Sequence, residues 1–338
     1  MKRKSWIFLL ALITGFPACN NEVDLIGEYK DTPIIFCLLN PGDTTHYIRI
    51  QKAFLINGNV LQTAQIPDSL RYEPSDLDVK VIEFNPNTGA TTKTITFQHV
   101  PGAVKDTGIF SSEGFMLYKS NESLNDLRRY RLQVTNTKLN KVMTSETGLV
   151  YTTSPGGLFK TPGQAGTVIF NNLAGTGYTL RWYTAVNGRV YQPEIVFRWT
   201  EVDLATNTAT PDSAVWKLLP KVSENDDIGA EMDFNLPQNS FYRFLSETVP
   251  VKPGIKRVIG NLNFKMYVGT EELNTYINVN KPSIGLIQDK PVYTNIENGL
   301  GLFAGRTTFF RSNVNLHPSS QDTLIFSKLT ENLNFRKN

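Results

Sequence analysis

Apolar and polar residues alternate in short runs along most of this chain, the period of half-buried β-strands rather than of helices. In Leu77-Asp78-Val79-Lys80-Val81-Ile82-Glu83-Phe84 one face is apolar and the other mostly polar. Runs of the same kind cover 34–39, 46–55, 92–99, 116–118, 130–136 and 141–147. Turn-forming residues break them, as at Asn40-Pro41-Gly42-Asp43 and Asn85-Pro86-Asn87-Thr88-Gly89. That density of short strands predicts an immunoglobulin-like or related sandwich over 32–153. The stretch from Leu124 to Val134 looks like the corner before a late strand of such a sandwich. There Tyr130 ties its hydroxyl to nearby backbone, which makes it a structural residue.

Prolines and glycines then concentrate in Ser154-Pro155-Gly156-Gly157 and Thr161-Pro162-Gly163-Gln164-Ala165-Gly166, which marks a linker over 154–166. Strand patterns resume at 167–171, 178–185, 191–202, 215–222 and 256–269, so 167–338 reads as a second β-rich domain. Two short helices fit inside it. After Ser240, Phe241 and Leu245 lie one turn apart until Pro250 stops the run. After Thr270, two glutamates suit the positive end of a helix dipole, Leu273 and Ile277 share a face, and Pro282 ends the helix. The expected fold is therefore all-β and mainly antiparallel, with one or two short helices in its second half.

The first residues break the strand pattern. Lys2, Arg3 and Lys4 precede an apolar run from Trp6 to Phe16, then Pro17, Ala18 and Cys19. The run has the length of a signal-peptide core and is short of the roughly 20 residues that span a bilayer. A small residue directly before a cysteine is what a lipoprotein signal peptidase requires. The reading is a signal peptide over 1–18, a lipid anchor on Cys19 and a tether over 19–31; an ordinary secretory signal cleaved nearby is the alternative. Asn20-Asn21-Glu22-Val23-Asp24 resembles the export signal that sends Bacteroidota-type lipoproteins to the cell surface, or is a plain polar tether. The expected location is the outer membrane, lipid-anchored, facing either the cell surface or the periplasm.

Charge changes with that cleavage. The chain has 34 Lys+Arg, 31 Asp+Glu and a net charge of +3. Residues 1–18 carry three of the basic residues and no acid, so the mature chain holds 31 of each sign. A nucleic-acid groove needs a clustered basic surface, and the longest later cluster, Arg128-Arg129-Tyr130-Arg131, reads as the rim of a strand. No nucleic-acid partner is expected.

Catalytic chemistry is sparse. His46, His99 and His317 lie far apart and outside any zinc spacing. Gly299-Leu300-Gly301-Leu302-Phe303-Ala304-Gly305 misses the dinucleotide fingerprint and reads as a turn or a close-packed backbone segment. Ser223-Glu224-Asn225-Asp226-Asp227 could take calcium but lacks EF-hand spacing, as many solvated loops do. Cys37, within an apolar run, is a buried small hydrophobe. No catalytic residue, cofactor or metal is assigned. Among the aromatics, Trp182 and Trp199 are the candidates for stacking on a sugar, against core packing as the plainer role. Trp182 and Tyr183 are adjacent on one strand and point to opposite faces, one to the core.

The segment Pro291-Val292-Tyr293-Thr294-Asn295-Ile296-Glu297-Asn298-Gly299-Leu300-Gly301-Leu302-Phe303-Ala304-Gly305-Arg306 resembles a family of Bacteroidota-type lipoproteins of unknown function. Thr45-His46-Tyr47-Ile48-Arg49-Ile50-Gln51-Lys52-Ala53-Phe54 and Tyr130-Arg131-Leu132-Gln133-Val134 agree with it. The resemblance implies two β-rich domains without assigned activity, accessory to TonB-dependent outer-membrane transporters. Asn295 and Glu297 then either cap a tight glycine path or meet a partner. The leading expectation is a non-enzymatic lipoprotein that binds a partner protein at the outer membrane. The competing one is a lipoprotein that captures polysaccharide through exposed aromatics. An enzyme would need an acid pair or histidine constellation that the sequence does not display.

Overall fold

The computed structural model describes residues 31–53, 70–102, 116–160, 166–171, 175–224, 228–282 and 292–337. The signal segment, Cys19, and residues 225–227 of the acidic stretch lie outside the described residues. In chain order the first strands are β1 (Thr32–Leu39), β2 (His46–Ala53), β3 (Leu77–Phe84), β4 (Thr91–Thr96), β5 (Gln98–Pro101), β6 (Met116–Ser120), β7 (Arg129–Asn136) and β8 (Lys141–Gly148). There follow β9 (Thr167–Val168), β10 (Tyr178–Tyr183), β11 (Val190–Asp203), β12 (Ala209–Lys217), β13 (Lys221–Val222), β14 (Glu231–Leu236) and helix α1 (Ser240–Thr248). The chain ends with β15 (Ile255–Gly269), α2 (Glu271–Asn280), β16 (Leu300–Leu316), α3 (Pro318–Phe326) and β17 (Phe335–Arg336). The fold is all-β with a few short helices, as the periodicity predicts.

In the first half, β1-β2-β6-β5 faces β4-β3-β7-β8. With the strands lettered along the chain, this is the A-B-E-D and C′-C-F-G order of an immunoglobulin-like sandwich. Alternate residues of each strand close the core, Ile35, Cys37 and Leu39 from β1 against Val79 and Val81 from β3 and Leu132 and Val134 from β7. The run expected as one strand over 92–99 is two. Phe97 turns into the core and its N–H donates to the Val79 carbonyl at 2.9 Å, so β4 stays with β3 while β5 crosses to β6. Tyr130 forms the expected corner: its hydroxyl accepts from the Asn125 N–H at 2.7 Å and lies 2.9 Å from the Asn125 carbonyl.

The second half is built on a sheet of long strands, β12-β11-β15-β16, whose inner face carries Ile195, Phe197, Phe264 and Met266. The β10–β14 ribbon supplies Leu180, Trp182 and Met232 to the same core, α1 adds Phe241 and Leu245, and α3 adds Leu324. Pro193 is accommodated inside β11 because β12 ends opposite Glu194 and β13 begins opposite Tyr191, leaving no ladder bond for proline to break. Arg257 on β15 is wholly buried. Its guanidinium bonds the Leu333 carbonyl at 2.7 Å and the Pro250 carbonyl at 2.8 Å, and pairs with Glu201 at 2.9 Å. It thereby ties the C-terminal segment to the sheet.

One strand departs from expectation and joins the halves. The glycine-rich stretch read as a turn or close-packed segment begins β16. Leu300–Gly305 pairs in parallel with β1, and Arg306–Asn315 pairs antiparallel with β15. The first sheet and the second are therefore one continuous hydrogen-bonded surface. Ile296 and Phe303 lie in the first core although the sequence pattern groups them with the second half.

Candidate functional site

The segment from Thr294 to Gly305 is a structural seam. Asn295 hydrogen-bonds the main chain of Phe303 in both directions, Nδ2 to the carbonyl at 2.7 Å and the N–H to Oδ1 at 3.0 Å. Its amide does on one edge of β16 what β1 does on the other. Glu297 is held on β8: its N–H donates to the Thr144 carbonyl at 2.8 Å and its Oε2 accepts from the Thr144 hydroxyl at 2.6 Å. Asn298 donates to the Val142 carbonyl at 3.0 Å. Gly301, at φ +117°, passes so close to β1 that a Cβ would overlap the Ile35 carbonyl oxygen. A Cβ on Gly305 would overlap the Gly148 carbonyl oxygen. These contacts account for the Asn-Ile-Glu-x-Gly-x-Gly pattern by packing alone.

Trp182 and Trp199 are corrected by their burial. Trp182 is 0 % exposed, tilted against Tyr191 with centroids 6.1 Å apart. Trp199 is 4 % exposed and meets Phe335 edge-on at 5.8 Å. Both point inward from their strands, so neither indole presents a face to a sugar. Tyr183, on the opposite face from Trp182, is half-buried.

The histidines serve separate local ends. His46 is buried at the start of β2, and burial lowers its pKa against the opposing charge of Asp43. His99 stands edge-on to Tyr118, centroids 5.5 Å apart. His317 caps α3, its Nδ1 accepting from the Ser319 N–H at 3.2 Å. Cys37 is buried with its thiol pushed well up by burial. Among the described residues no three His, Cys, Asp or Glu side chains gather into a metal-sized group.

What the fold does assemble is a cleft of about 350 Å³ where the two halves meet. Arg129 at the start of β7 and Gly148 at the end of β8 form one wall, and the 184–189 loop and the first turn of α2 form the other. The loop is rigidly held. The Tyr191 hydroxyl accepts from the Ala185 N–H at 2.8 Å and reaches the Gly188 carbonyl at 3.2 Å. Asn187, in the left-handed region at φ 58°, donates to the Leu149 carbonyl at 2.8 Å. Arg189 donates its N–H to the Gly269 carbonyl and pairs with Glu271 at 2.8 Å.

Two charges in this cleft, Arg129 and Glu272, make no ion pair among the described residues. Thr270, the residue before α2, is 2 % exposed, and its hydroxyl neither caps the helix nor finds another hydrogen-bond partner among the described residues. Sequence reading picked out both pieces, Arg129 as a strand rim and Thr270 with its glutamates as a helix start. It missed their juxtaposition, because β7 and α2 are about 140 residues apart in the chain and only the tertiary fold brings them together. No protein-family model matches the chain, and no curated protein is similar enough in sequence to count as a match.

Proposed function

We propose that the protein is a non-catalytic binding subunit, lipid-anchored through Cys19 to an outer membrane and accessory to a transporter there. The N-terminal charge pattern, the apolar core of matching length and the Ala18-Cys19 step support the anchor. The observation that carries the binding role is the continuity of β16. It runs parallel to β1, whose first residue follows Cys19 by little more than a dozen positions, and continues from Arg306 to Leu316 beyond the first core. The second half is built on that extension, which pairs with β15. A shared strand transmits position without a hinge, which suits a module that presents a surface to a neighbour. The buried Trp182 and Trp199 offer the polysaccharide reading no stacking face of their own.

The test is purification of the tagged full-length protein from its native membrane in mild detergent, with identification of what co-purifies. Cys19→Ala moves the protein to the soluble fraction if the anchor holds, and retention in the membrane refutes it. A stoichiometric transporter of the TonB-dependent class supports the accessory role. A protein that emerges alone overturns it.

A further inference from the structure

We propose that the free edge of β4 is a docking site for an extended segment of a partner protein, which adds to the four-stranded sheet as a further strand and brings a carboxylate to Lys119. The proposal stands apart from the anchor and from the identity of any transporter.

The terminal strands of the two larger sheets are β12 and β5 in one, β4 and β8 in the other. An unpaired edge is a template for another strand, and native proteins blunt unused edges with proline, charge or cover. Every terminal strand but β4 is blunted in this way. In β12 the Leu218 N–H donates to the Pro193 carbonyl, as the Asp203 N–H does to the Thr208 carbonyl. Even-numbered residues there face β11 and odd-numbered ones face outward. Pro211 then has no outward N–H to give, and the Ser213 N–H is held by its neighbour Asp212 at 2.7 Å. β5 has four residues and ends in Pro101. The edge of β8 is taken by Glu297 and Asn298, which bond the Thr144 and Val142 carbonyls.

β4 lacks these devices. The Phe97 N–H donates to the Val79 carbonyl, and the register runs on through Ile95 opposite Val81 and Lys93 opposite Glu83. Alternation turns the N–H and carbonyl of Thr94 and Thr96 away from β3, to a side where no strand of the described residues adjoins them. Both threonines are exposed. That side meets a groove of about 510 Å³, lined by Thr94, Thr96 and Gln98 and by Lys119 to Glu122 at the end of β6. The groove exists because β5 pairs with β6 while β4 crosses to β3, so the two runs diverge beyond the Gln98–Lys119 pair. Buried Phe97 anchors the crossover, and the Lys93–Glu122 pair at 2.8 Å joins the diverging runs, so docking demands little ordering.

Charge defines the occupant. Glu122 is held by Lys93, whereas Lys119 makes no ion pair among the described residues. An incoming strand with an acidic side chain supplies the missing charge. A second copy of this chain would bring a second Lys119 and no free carboxylate from its own groove, so self-pairing sets like charges together.

The probe is a fluorescein-labelled peptide of alternating threonine and valine about a central glutamate, titrated by anisotropy against the full chain in detergent. It is compared with a form N-methylated at every amide, which has no backbone donor, and a form with glutamine for glutamate. Saturable binding with a Kd below about 1 mM is expected, at least about tenfold weaker for the methylated form and about threefold weaker for the glutamine form. Thr94→Pro, which removes an outward N–H, abolishes binding, and Val215→Pro on the outward side of β12 leaves it intact. Lys119→Met makes the glutamate and glutamine forms bind equally, a loss of discrimination that misfolding does not produce. No saturable binding of the glutamate peptide, equal binding of the methylated form, or discrimination that survives Lys119→Met overturns the proposal. A dimer in sedimentation that Thr94→Pro dissolves also overturns it, in favour of a second copy as occupant.

Discussion

The carboxamide of Asn295 and the main chain of Phe303 form a reciprocal pair of hydrogen bonds, at 2.7 and 3.0 Å, that finishes the edge of β16 where no strand of the described residues adjoins it. Phe303 is 0 % exposed, so neither its N–H nor its carbonyl has water as an alternative. Asn295→Ala therefore strands two buried backbone groups at about 1–3 kcal/mol each. A fall of about 2–4 kcal/mol in unfolding free energy, with unchanged denaturant slope, is the expected outcome in urea titration. A change below about 0.5 kcal/mol would show the pair to be decorative.

Gly301 carries the strictest steric condition in the seam. Its φ of +117° and the Ile35 carbonyl both exclude a side chain, so Gly301→Ala must part β1 from β16. A loss of about 3 kcal/mol or more is expected from thermal melting. Gly89, at φ +70° with open space around its Cβ position, is the control, and its alanine variant loses only about 1 kcal/mol.

Arg257 and Glu201 link stability to pH. Burial works to raise the Glu201 carboxyl, but hydrogen bonds and charge from Lys252 and Arg257 outweigh it and hold the group below its ordinary 4.5. A carboxyl depressed in the folded state contributes stability that is full above its unfolded value and is lost as pH falls through the folded one. Chemical denaturation across pH 7 to 3 should show this decline beginning near 4.5. Arg257→Met weakens that part of the profile without abolishing it, because Lys252 still holds Glu201 at 2.7 Å, and costs about 2–5 kcal/mol at neutral pH, since it leaves the Leu333 and Pro250 carbonyls without their partner.

Tyrosines give the opposite limb. Burial pushes Tyr118 and Tyr178 up to about 12 from 10.0, so the native state holds their protons more tightly than the unfolded chain. That contribution is whole below pH 10 and disappears as pH rises through 12. Absorbance titration should find these phenols silent at pH 10.5 in the native protein and ionised on unfolding. Tyr130 is raised by burial and by its bond to Glu83, and Tyr130→Phe, which removes its bonds to Asn125 and Glu83, costs about 1–3 kcal/mol.

Cys37 offers a reporter of the first core. Its side chain is 3 % exposed and burial disfavours the thiolate, so an aromatic disulfide reagent should react only as fast as the sandwich opens. Rapid labelling of the native protein would mean that β1 leaves the sheet readily.

Much of this was local enough to read along the chain. Period-two alternation sets out β1, β3, β7 and β15 because each has one buried face, and the one-turn spacing of Phe241 and Leu245 does the same for α1. The Tyr130 corner is legible because its bonds to the Asn125 backbone reach only five residues back. Which strands adjoin is not a local property. Leu302, Phe303, Ala304 and Gly305 are buried in succession, so the start of β16 shows no alternation, and its glycines disfavour a strand on propensity alone. Only the tertiary structure makes it one, by supplying β1 on one edge and the Asn295 amide on the other. The same holds for the inward turn of Trp182 and Trp199 and for the meeting of Arg129 with α2. The sequence by itself determined an all-β chain with a sandwich at its front. The tertiary structure decided that its two halves share one sheet, because hydrogen-bond partners distant along the chain, not side-chain period, choose the neighbours of a strand.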